Sequence, residues 1–309
     1  MAVVVTGAAG FIGSRLARRL ARSDREVIGI DRLNLMPPGV TAVVCDLSAP
    51  SEQVREALAT ADAVWHLAAR PGVRDAAADI ERRRFLDNVC ATHIVCDLVP
   101  DDVPLTFTSS SSVYGGALHG GLLKASSESD ELRPAGGYAR SKLRAERACS
   151  RRRKRGGLVC VARPFTVVGS PQRPDMALAR WTRAALQNQP LKVFGSLQRS
   201  RDLTDIDAVV EALVRLATDG MGEAVNIGTG VAYTLEQMVR TVVDVTGSQS
   251  EIVLTAAGRV EVPVTLADTS KLEALTGVIP STDLHAIVQA QVRHLLSGEG
   301  LHEKNEVRV

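Results

Sequence analysis

Residues 3–13 read VVVTGAAGFIG, a short apolar run that leads directly into glycines at positions 7, 10 and 13. The β-branched valines predict a buried strand, and the periodic apolar pattern that starts at Phe11 predicts a helix. Glycines at this spacing let the backbone turn tightly and approach a pyrophosphate, while the N-terminus of the helix faces the phosphates. The stretch therefore predicts a strand–loop–helix unit that binds a dinucleotide. A tight turn without a ligand is the alternative interpretation.

An acidic residue follows at the position that such a ligand requires. Asp31 ends the next β-branched segment, 18 residues beyond Gly13, where a carboxylate can accept hydrogen bonds from both hydroxyls of an adenosine ribose. A 2′-phosphate would be repelled there, which favours NAD over NADP, although the adjacent Arg32 could bind that phosphate. Asp46 and Leu47 follow the third predicted strand, and we expect them to meet the adenine.

Short β-branched segments alternate with longer amphipathic segments through the first half of the chain. This alternation is typical of a parallel sheet covered by helices, and continuous apolar runs suit strands that are buried on both faces. The predicted elements are strands at 3–5, 26–30, 42–45, 63–67 and 105–108, a helix at 11–23, a loop at 115–137 and a helix that starts near Tyr138.

The pattern loosens after residue 164, which predicts a second region. We predict an α/β fold in which a doubly wound parallel (Rossmann) sheet occupies residues 1–164, completed by a segment near 203–222. A smaller C-terminal substrate-binding region is expected over 165–309, with 224–228 and 235–246 among its elements.

The composition excludes several classes of protein. The chain has 309 residues, 45% of them hydrophobic, and a formal net charge of +2, which argues against disorder and against nucleic acid as the main partner. Aromatic residues make up only 3%, too few for a platform that stacks single-stranded nucleic acid. We expect no signal peptide and no membrane span. The five cysteines show no C-x-x-C spacing, which favours a reducing cytoplasm, and the scattered histidines predict no metal site.

A second constellation suggests acid–base chemistry. Tyr138 and Lys142 lie four residues apart, on one face of the predicted helix. A phenol has an ordinary pKa near 10, and a neighbouring cation favours its ionised form, so the pair can act as general base and acid on an alcohol. Four serines at 109–112 follow the fifth strand, at the sheet edge where ligands bind in such folds. A surface pair on an ordinary helix is the alternative.

These residues resemble the extended short-chain dehydrogenases/reductases, in particular the NAD-dependent epimerase/dehydratase family that acts on nucleotide sugars. The resemblance covers nearly the whole chain and implies that Ser110, Tyr138 and Lys142 are catalytic. It also implies a bound NAD. The predicted cofactor-binding residues are Gly7, Gly10, Phe11, Ile12, Gly13, Asp31, Arg32, Asp46, Leu47, Leu67, Ala68, Ala69, Tyr138, Lys142 and Pro164.

Within that family, residues 165–177 and 72–74 are most similar to the UDP-glucuronate 4-epimerases, although Val168 and Ser170 replace the usual Tyr and Pro. The resemblance implies interconversion of UDP-glucuronic and UDP-galacturonic acid through a 4-keto sugar by a cytoplasmic homodimer. The predicted substrate-binding residues are Arg74, Ser111, Ser112, Thr166, Arg173, Val193, Phe194, Arg201, Arg259 and Glu261.

Three alternatives stay open. The chain could be an epimerase of another nucleotide sugar, a related decarboxylase or dehydratase, or a non-catalytic dinucleotide sensor. Relatives that dehydrate or decarboxylate resemble this chain but carry acidic residues near the catalytic hydroxyl, where Ser111 and Ser112 stand here. Sensors of this kind commonly lack the Tyr138/Lys142 pair.

Overall fold

The structure, a computed structural model, describes residues 2–23, 25–72, 77–258 and 261–297. The strands are β1 (Ala2–Thr6), β2 (Glu26–Asp31), β3 (Val40–Val44), β4 (Ala63–His66), β5 (Leu105–Thr108), β6 (Leu118–His119), β7 (Leu122–Leu123), β8 (Val159–Pro164), β9 (Thr166–Val168), β10 (Leu191–Phe194), β11 (Ser200–Asp205), β12 (Ala224–Ile227), β13 (Ala232–Thr234) and β14 (Ile252–Thr255). The helices are α1 (Phe11–Ala21), α2 (Glu52–Ala59), α3 (Ile80–Arg84), α4 (Ala91–Leu98), α5 (Gly136–Lys154), α6 (Ala177–Leu186), α7 (Ile206–Asp219), α8 (Leu235–Thr246), α9 (Ser270–Thr276) and α10 (Leu284–Leu296). A π-helical segment, Phe85–Cys90, joins α3 to α4.

The main sheet confirms the predicted doubly wound fold. In the described part of the chain its order is β12-β8-β5-β4-β1-β2-β3, and all neighbouring strands are parallel. The chain proceeds from β1 towards β3 on one side and from β4 towards β12 on the other. This reversal opens a crevice at the carboxyl ends of β1 and β4, where ligands bind in such sheets.

Helices cover both faces of the sheet. Helices α1, α7 and α9 bury aliphatic side chains on one face, with Leu16 and Leu213 fully buried. Helices α2, α4 and α5 cover the other face around Val54 and Val95. Strands β5 and β8 are buried along their whole length, as the continuous apolar runs predict.

One predicted element lies elsewhere. Residues 224–227, expected in the C-terminal region, form β12 and pair with β8 at the edge of the main sheet. Helix α7 carries the chain back across the sheet before this strand, as a parallel neighbour requires. Short apolar strands look alike in sequence, so their spacing did not reveal which sheet this one joins.

Apart from the two clusters on the faces of the main sheet, the C-terminal region has its own hydrophobic core, called the second core below. It packs α6, α8 and α10 against β10 and β11. Trp181, Leu203 and Val239 lie in it. Strands β9, β11 and β13 form a small sheet beside it.

All five cysteines are free thiols. Of the helices that the structure describes, none combines the length and apolar character that crossing a membrane requires.

Candidate active site

A cleft of about 1140 Å³ runs along the carboxyl edge of the main sheet and continues into the second region. Its walls include most of the predicted site residues. They are Gly7, Gly10, Phe11, Ile12, Gly13, Asp31, Arg32, Asp46, Leu47, Leu67, Ala68, Ala69, Ser110, Ser111, Ser112, Tyr138, Lys142, Pro164, Thr166, Arg173, Phe194, Arg201 and Glu261. Arg74 and Arg259 lie outside the described residues.

The glycine loop is shaped by steric exclusion. Gly7 has a φ of +71°, and a Cβ there would lie 2.7 Å from the backbone nitrogen of Ala68. A Cβ on Gly13 would lie 2.0 Å from the Gly7 carbonyl oxygen. Helix α1 begins at this loop with Gly10 as its N-cap, so no side chain caps its first amides. This cradle fits a pyrophosphate, because backbone N–H groups at a helix N-terminus attract phosphate.

At the acidic end of the cleft, Arg32 pairs with neighbouring carboxylates. Asp31 accepts hydrogen bonds from the backbone nitrogens of Ala9 and Leu33, both at 3.1 Å. The Arg32 guanidinium donates to Asp87 at 2.5 and 3.1 Å and to Asp46 at 2.8 Å. The hydrogen bond to Asp87 and the charge of Asp46 raise the pKa of Arg32. Arg32 is thus paired with Asp46 and with Asp87, which also pairs with Arg70 at 2.7 Å, so a 2′-phosphate would have to compete with these carboxylates for the guanidinium.

The proposed base and its partner meet in the middle of the cleft. The Ser110 hydroxyl lies close enough to the Tyr138 phenol to act on its pKa, and both residues belong to the cleft wall. Burial raises the pKa of Tyr138, and the neighbouring Ser110 hydroxyl and the charges of Arg173 and Arg84 oppose this rise. Ser110 Oγ also accepts a bond from the Ser112 backbone nitrogen at 3.2 Å.

The Lys142 ammonium, which the sequence predicts to lower the pKa of the Tyr138 phenol, is directed at another group. Its Nζ donates to the Thr108 carbonyl oxygen at 2.8 Å, and burial lowers the pKa of Lys142 to about 8. The cations that lower the pKa of Tyr138 are instead the arginines at 84 and 173. Spacing on a helix brings two residues to one face, but the direction of a long flexible side chain depends on the acceptors around it.

A buried polar network supports the serine loop from below. Ser109 Oγ donates to Glu146 at 2.5 Å, and Arg163 binds the same carboxylate through two nitrogens at 3.0 and 2.8 Å. Arg163 also donates to the Tyr114 hydroxyl at 2.8 Å, which donates to Asn226 at 2.7 Å. The motifs at 109–115, 163–165 and 226–230 are therefore parts of one network, and sequence reasoning missed Glu146 as its centre.

Asn88 orients the first turn of α5. Its side-chain oxygen accepts a bond from the Arg70 backbone nitrogen at 2.6 Å, and its nitrogen donates to Ser141 Oγ at 2.8 Å. Ser141 Oγ in turn donates to the Tyr138 carbonyl at 2.8 Å. Asn88 lies in the π-helical segment, a distortion that is frequent at functional sites. The chain thus holds the backbone of Tyr138 in place through buried bonds.

Hydroxyl groups and one cation line the next part of the cleft. Ser111, Ser112, Thr166 and Arg173 all contribute to its wall. Ser112 Oγ is buried and finds no hydrogen-bond partner among the residues that the structure describes. A buried polar atom of this kind is costly unless something satisfies it, so the arrangement is suited to a polar ligand. Arg173 pairs with Asp175 at 2.5 Å.

Phe194, Arg201 and Glu261 lie at the far end of the cleft. The Arg180 guanidinium lies 5.4 Å from the centre of the Phe194 ring. Arg201 donates to the Ser200 and Pro263 carbonyl oxygens at 2.7 and 3.2 Å. Glu261 pairs with Arg199 at 2.8 Å, with both side chains largely buried.

The prediction that Val193 contacts the substrate needs correction. Its side chain is fully buried in the second core and is not part of the cleft wall, because side chains alternate along β10 and Phe194 takes the cleft side.

Sequence reasoning also missed the function of Asp202. Its Oδ1 accepts bonds from the Thr229 backbone nitrogen and hydroxyl at 2.9 and 2.8 Å. Its Oδ2 accepts from the Gly230 and Ala267 backbone nitrogens, both at 3.0 Å. An acidic residue between Arg201 and Leu203, at a buried position of a strand, was the available signal.

Within residues 2–23, 25–72, 77–258 and 261–297, no group of three His, Cys, Asp or Glu side chains is placed to hold a metal ion.

Comparison with known families agrees with this site. The model of the NAD dependent epimerase/dehydratase family matches residues 3–228. This chain belongs to that family. NAD is its cofactor, and the glycine loop, Asp31 and the neighbouring cleft wall are the residues that would hold it.

Relatives in the family span nearly the whole chain. The "Uncharacterized UDP-glucose epimerase YtcB" of Bacillus subtilis (strain 168) is 32% identical over 96% of this chain and 98% of that protein. The solved structure of MoeE5 in complex with UDP-glucuronic acid and NAD has a TM-score of 0.88 and 33% identity, covering 96% of this chain and all of the other. The UDP-glucuronic acid 4-epimerase from Bacillus cereus, in complex with UDP-glucuronic acid and NAD, has a TM-score of 0.88 and 27% identity and covers 96% and 99% of the two chains.

Proposed function

We propose that this chain is an NAD-dependent 4-epimerase that interconverts UDP-glucuronic acid and UDP-galacturonic acid. The observation that carries the proposal is that Ser110 and Tyr138 share one cleft with a wall of hydroxyls and with Arg173. Hydroxyls and a guanidinium suit a sugar that carries a carboxylate. MoeE5 and the Bacillus cereus enzyme, both similar over nearly the whole chain, bind UDP-glucuronic acid.

Tyr138 is the general base in this mechanism. Its phenolate form takes the proton from the sugar 4-hydroxyl, and the phenol that results later returns a proton to the same oxygen. Ser110 keeps a hydrogen bond to that oxygen, and Lys142 binds the nicotinamide ribose. The chemistry supplied by bound NAD would be that of a hydride acceptor for C4 of the sugar and, once the keto sugar has turned over, of a hydride donor to its opposite face.

The orientation of the sugar carboxylate must be controlled during the reaction. A glucuronate with a ketone at C4 is a β-keto acid and loses carbon dioxide when its carboxylate bond aligns with the carbonyl π system. We propose that Ser111, Ser112, Thr166 and Arg173 hold the carboxylate out of that alignment. Positions 111 and 112 carry no acid that could promote another outcome.

The nucleotide half of the substrate occupies the far end of the cleft. We propose that Arg201, and Arg259 beyond the described residues, bind the diphosphate, that Glu261 binds the uridine ribose and that Phe194 meets the uracil. Guanidinium groups match phosphate geometry. Residues 1–164 with the segment near 203–222 then bind NAD, and residues 165–309 mainly bind the UDP-sugar.

Product analysis tests the function. Purified protein is incubated separately with UDP-glucuronic acid and UDP-glucose, and the nucleotide sugars are separated by chromatography and identified by NMR. We expect UDP-galacturonic acid from the first incubation. A UDP-pentose with released carbon dioxide would identify a decarboxylase, UDP-galactose alone would change the assigned sugar, and no turnover would favour the sensor.

We also propose a homodimer formed through the face that contains Phe85–Cys90, α4 and α5. Phe85 is an exposed aromatic residue on this face, and a partner would cover it. Light scattering should give twice the mass of one chain, and Phe85→Glu should shift it towards the monomer. A wild-type protein of single-chain mass would contradict this proposal.

A further inference from the structure

A glutamine in the C-terminal helix α10 lies behind the sugar end of the cleft. Gln291 is buried to all but 3% of its surface. Its Nε2 donates to the Gly169 carbonyl at 3.1 Å and to Gln172 Oε1 at 2.6 Å. Its Oε1 accepts a bond from the Thr182 hydroxyl at 3.1 Å. This one amide therefore joins α10 to three points on and around the segment that follows β9.

That segment, residues 169–176, is here called the sugar loop. It follows Thr166 in β9, carries Arg173, and forms part of the cleft wall. Gln172, itself buried, also donates from Nε2 to the Val167 carbonyl at 3.3 Å. The Gln291–Gln172 pair thus ties the sugar loop to the strand before it, while Thr182 ties the pair to α6 after it.

The surroundings of Gln291 show that packing alone does not require an amide. Leu284, Ile287 and Val288 occupy the same buried face of α10 and lie in the second core. An apolar side chain at 291 would continue this face. A buried amide that satisfies its partners at defined distances instead fixes the relative position of the elements that it joins.

We propose that Gln291 is a positioning residue for the sugar carboxylate. By holding the sugar loop it sets where Arg173 and Thr166 stand, and so keeps the carboxylate out of alignment with the C4 carbonyl. The inference rests on the proposed function and assigns part of its selectivity to a residue that does not line the cleft.

If the sugar carboxylate is no longer held out of this alignment, a different product forms. In the 4-keto sugar the C5–C6 bond breaks, its electron pair passes into the C4–C5 bond of an enolate, and carbon dioxide leaves. C5 then takes up a proton, and return of the hydride to C4 yields a UDP-pentose. Each turnover in which the keto sugar decarboxylates therefore releases one carbon dioxide and one UDP-pentose in place of an epimer.

The test compares Gln291→Met with Gln289→Met, an identical change at an exposed position of the same helix. Wild type and both variants are assayed with UDP-glucuronic acid for KM, kcat and the pentose fraction of the product, and for NAD affinity. Gln291→Met removes all three hydrogen bonds of the amide, and we expect KM and the pentose fraction each to rise about tenfold. NAD affinity should match that of the wild type, and Gln289→Met should behave as wild type throughout.

The outcomes separate the two proposals. If the wild type epimerises UDP-glucuronic acid but Gln291→Met keeps the wild-type KM and pentose fraction, the positioning role is overturned and the proposed function stands. If the wild type does not turn over this substrate, both fail. Should Gln291→Met fail to fold, Thr182→Val removes one bond to the same amide, and an unchanged pentose fraction there would equally overturn the inference.

Discussion

The two ends of the cleft are built in different ways. At the cofactor end, one contiguous segment, residues 7–13, forms the loop, and its shape is imposed by backbone atoms only 2.0 to 2.9 Å from where side chains would begin at positions 7 and 13. At the sugar end, the wall comes from segments far apart in the chain, held by buried side chains such as Asp202 and Gln291. Close backbone approach, within the loop at Gly13 and against Ala68 at Gly7, therefore governs the first end, and long-range side-chain hydrogen bonds govern the second. Substitutions should separate the two ends.

Tyr138→Phe should have the largest effect, because the phenol acts where the two ends meet. Turnover of UDP-glucuronic acid should fall by about 1000-fold or more, while the affinity for NAD stays close to that of the wild type. Steady-state kinetics and a fluorescence titration with NAD measure the two. Retained activity would mean that another group is the base.

Gly13→Ala should break the cofactor end alone. The new Cβ would lie 2.0 Å from the Gly7 carbonyl oxygen, a backbone atom that cannot move without displacing α1 or the loop. We expect NAD affinity to fall by about 30-fold or more, equivalent to about 2 kcal/mol. Gly258→Ala is the control, because nothing lies within 4 Å of a Cβ there. Equal NAD affinity in the two variants would show that the loop is not sterically fixed.

Asp202→Asn should break the sugar end while sparing NAD. Each carboxylate oxygen accepts two hydrogen bonds, so either orientation of an amide turns its NH2 group towards two donors. The free energy of unfolding should fall by about 2 kcal/mol, with weaker binding of UDP. Urea denaturation and calorimetry with UDP measure these, and exposed Asp244→Asn is the control. A variant as stable as the wild type would contradict this account.

Asp31→Asn should alter the choice of cofactor. Removing the charge leaves Arg32 paired with Asp46 and Asp87, so tight binding of NADP should not appear. The ratio of NAD to NADP affinity should still fall by about tenfold, since the repulsion of the 2′-phosphate is lost. Titrations with both cofactors measure the ratio, and an unchanged ratio would remove Asp31 from the recognition of the ribose.

Acidification should have the smallest of these effects, a loss of stability that arises at the cofactor end. His66 bonds Thr6 at 2.7 Å and Thr92 at 3.0 Å beneath the glycine loop, and burial lowers its pKa to about 3. Below about pH 6.5, His66 of the unfolded chain binds a proton, whereas His66 of the folded chain stays neutral until about pH 3. The free energy of unfolding therefore decreases as the pH falls through this range. At pH 5.5 the loss should be about 1.4 kcal/mol.

Urea denaturation at pH 7.5 and 5.5 measures the loss for the wild type and for His66→Gln, which should lose less. His285→Gln, at an exposed position, is the control. Equal losses in the wild type and in His66→Gln would exclude His66 as the source.

Sequence patterns predicted the elements whose cause is local. Strand β5 begins and ends where predicted, and α1 starts at Phe11 as expected, because periodicity and glycine spacing act over a few residues. Predictions that needed long-range knowledge were less accurate. Residues 224–227 joined the main sheet, Val193 faced the core, and Lys142 turned to Thr108. Each of these outcomes depends on which distant group competes for the strand or side chain.

The sequence by itself determined the dinucleotide fold, the glycine cradle and the serine, tyrosine and lysine that stand at the centre of the cleft, since short-range sterics and periodic burial specify them. Only the tertiary structure decided that Arg32 is balanced by two carboxylates, that Glu146 and Asp202 are the centres of buried networks, and that Gln291 reaches the sugar loop. Those contacts join residues as many as 122 positions apart, and a hydrogen bond between such residues exists only after the cores between them have packed.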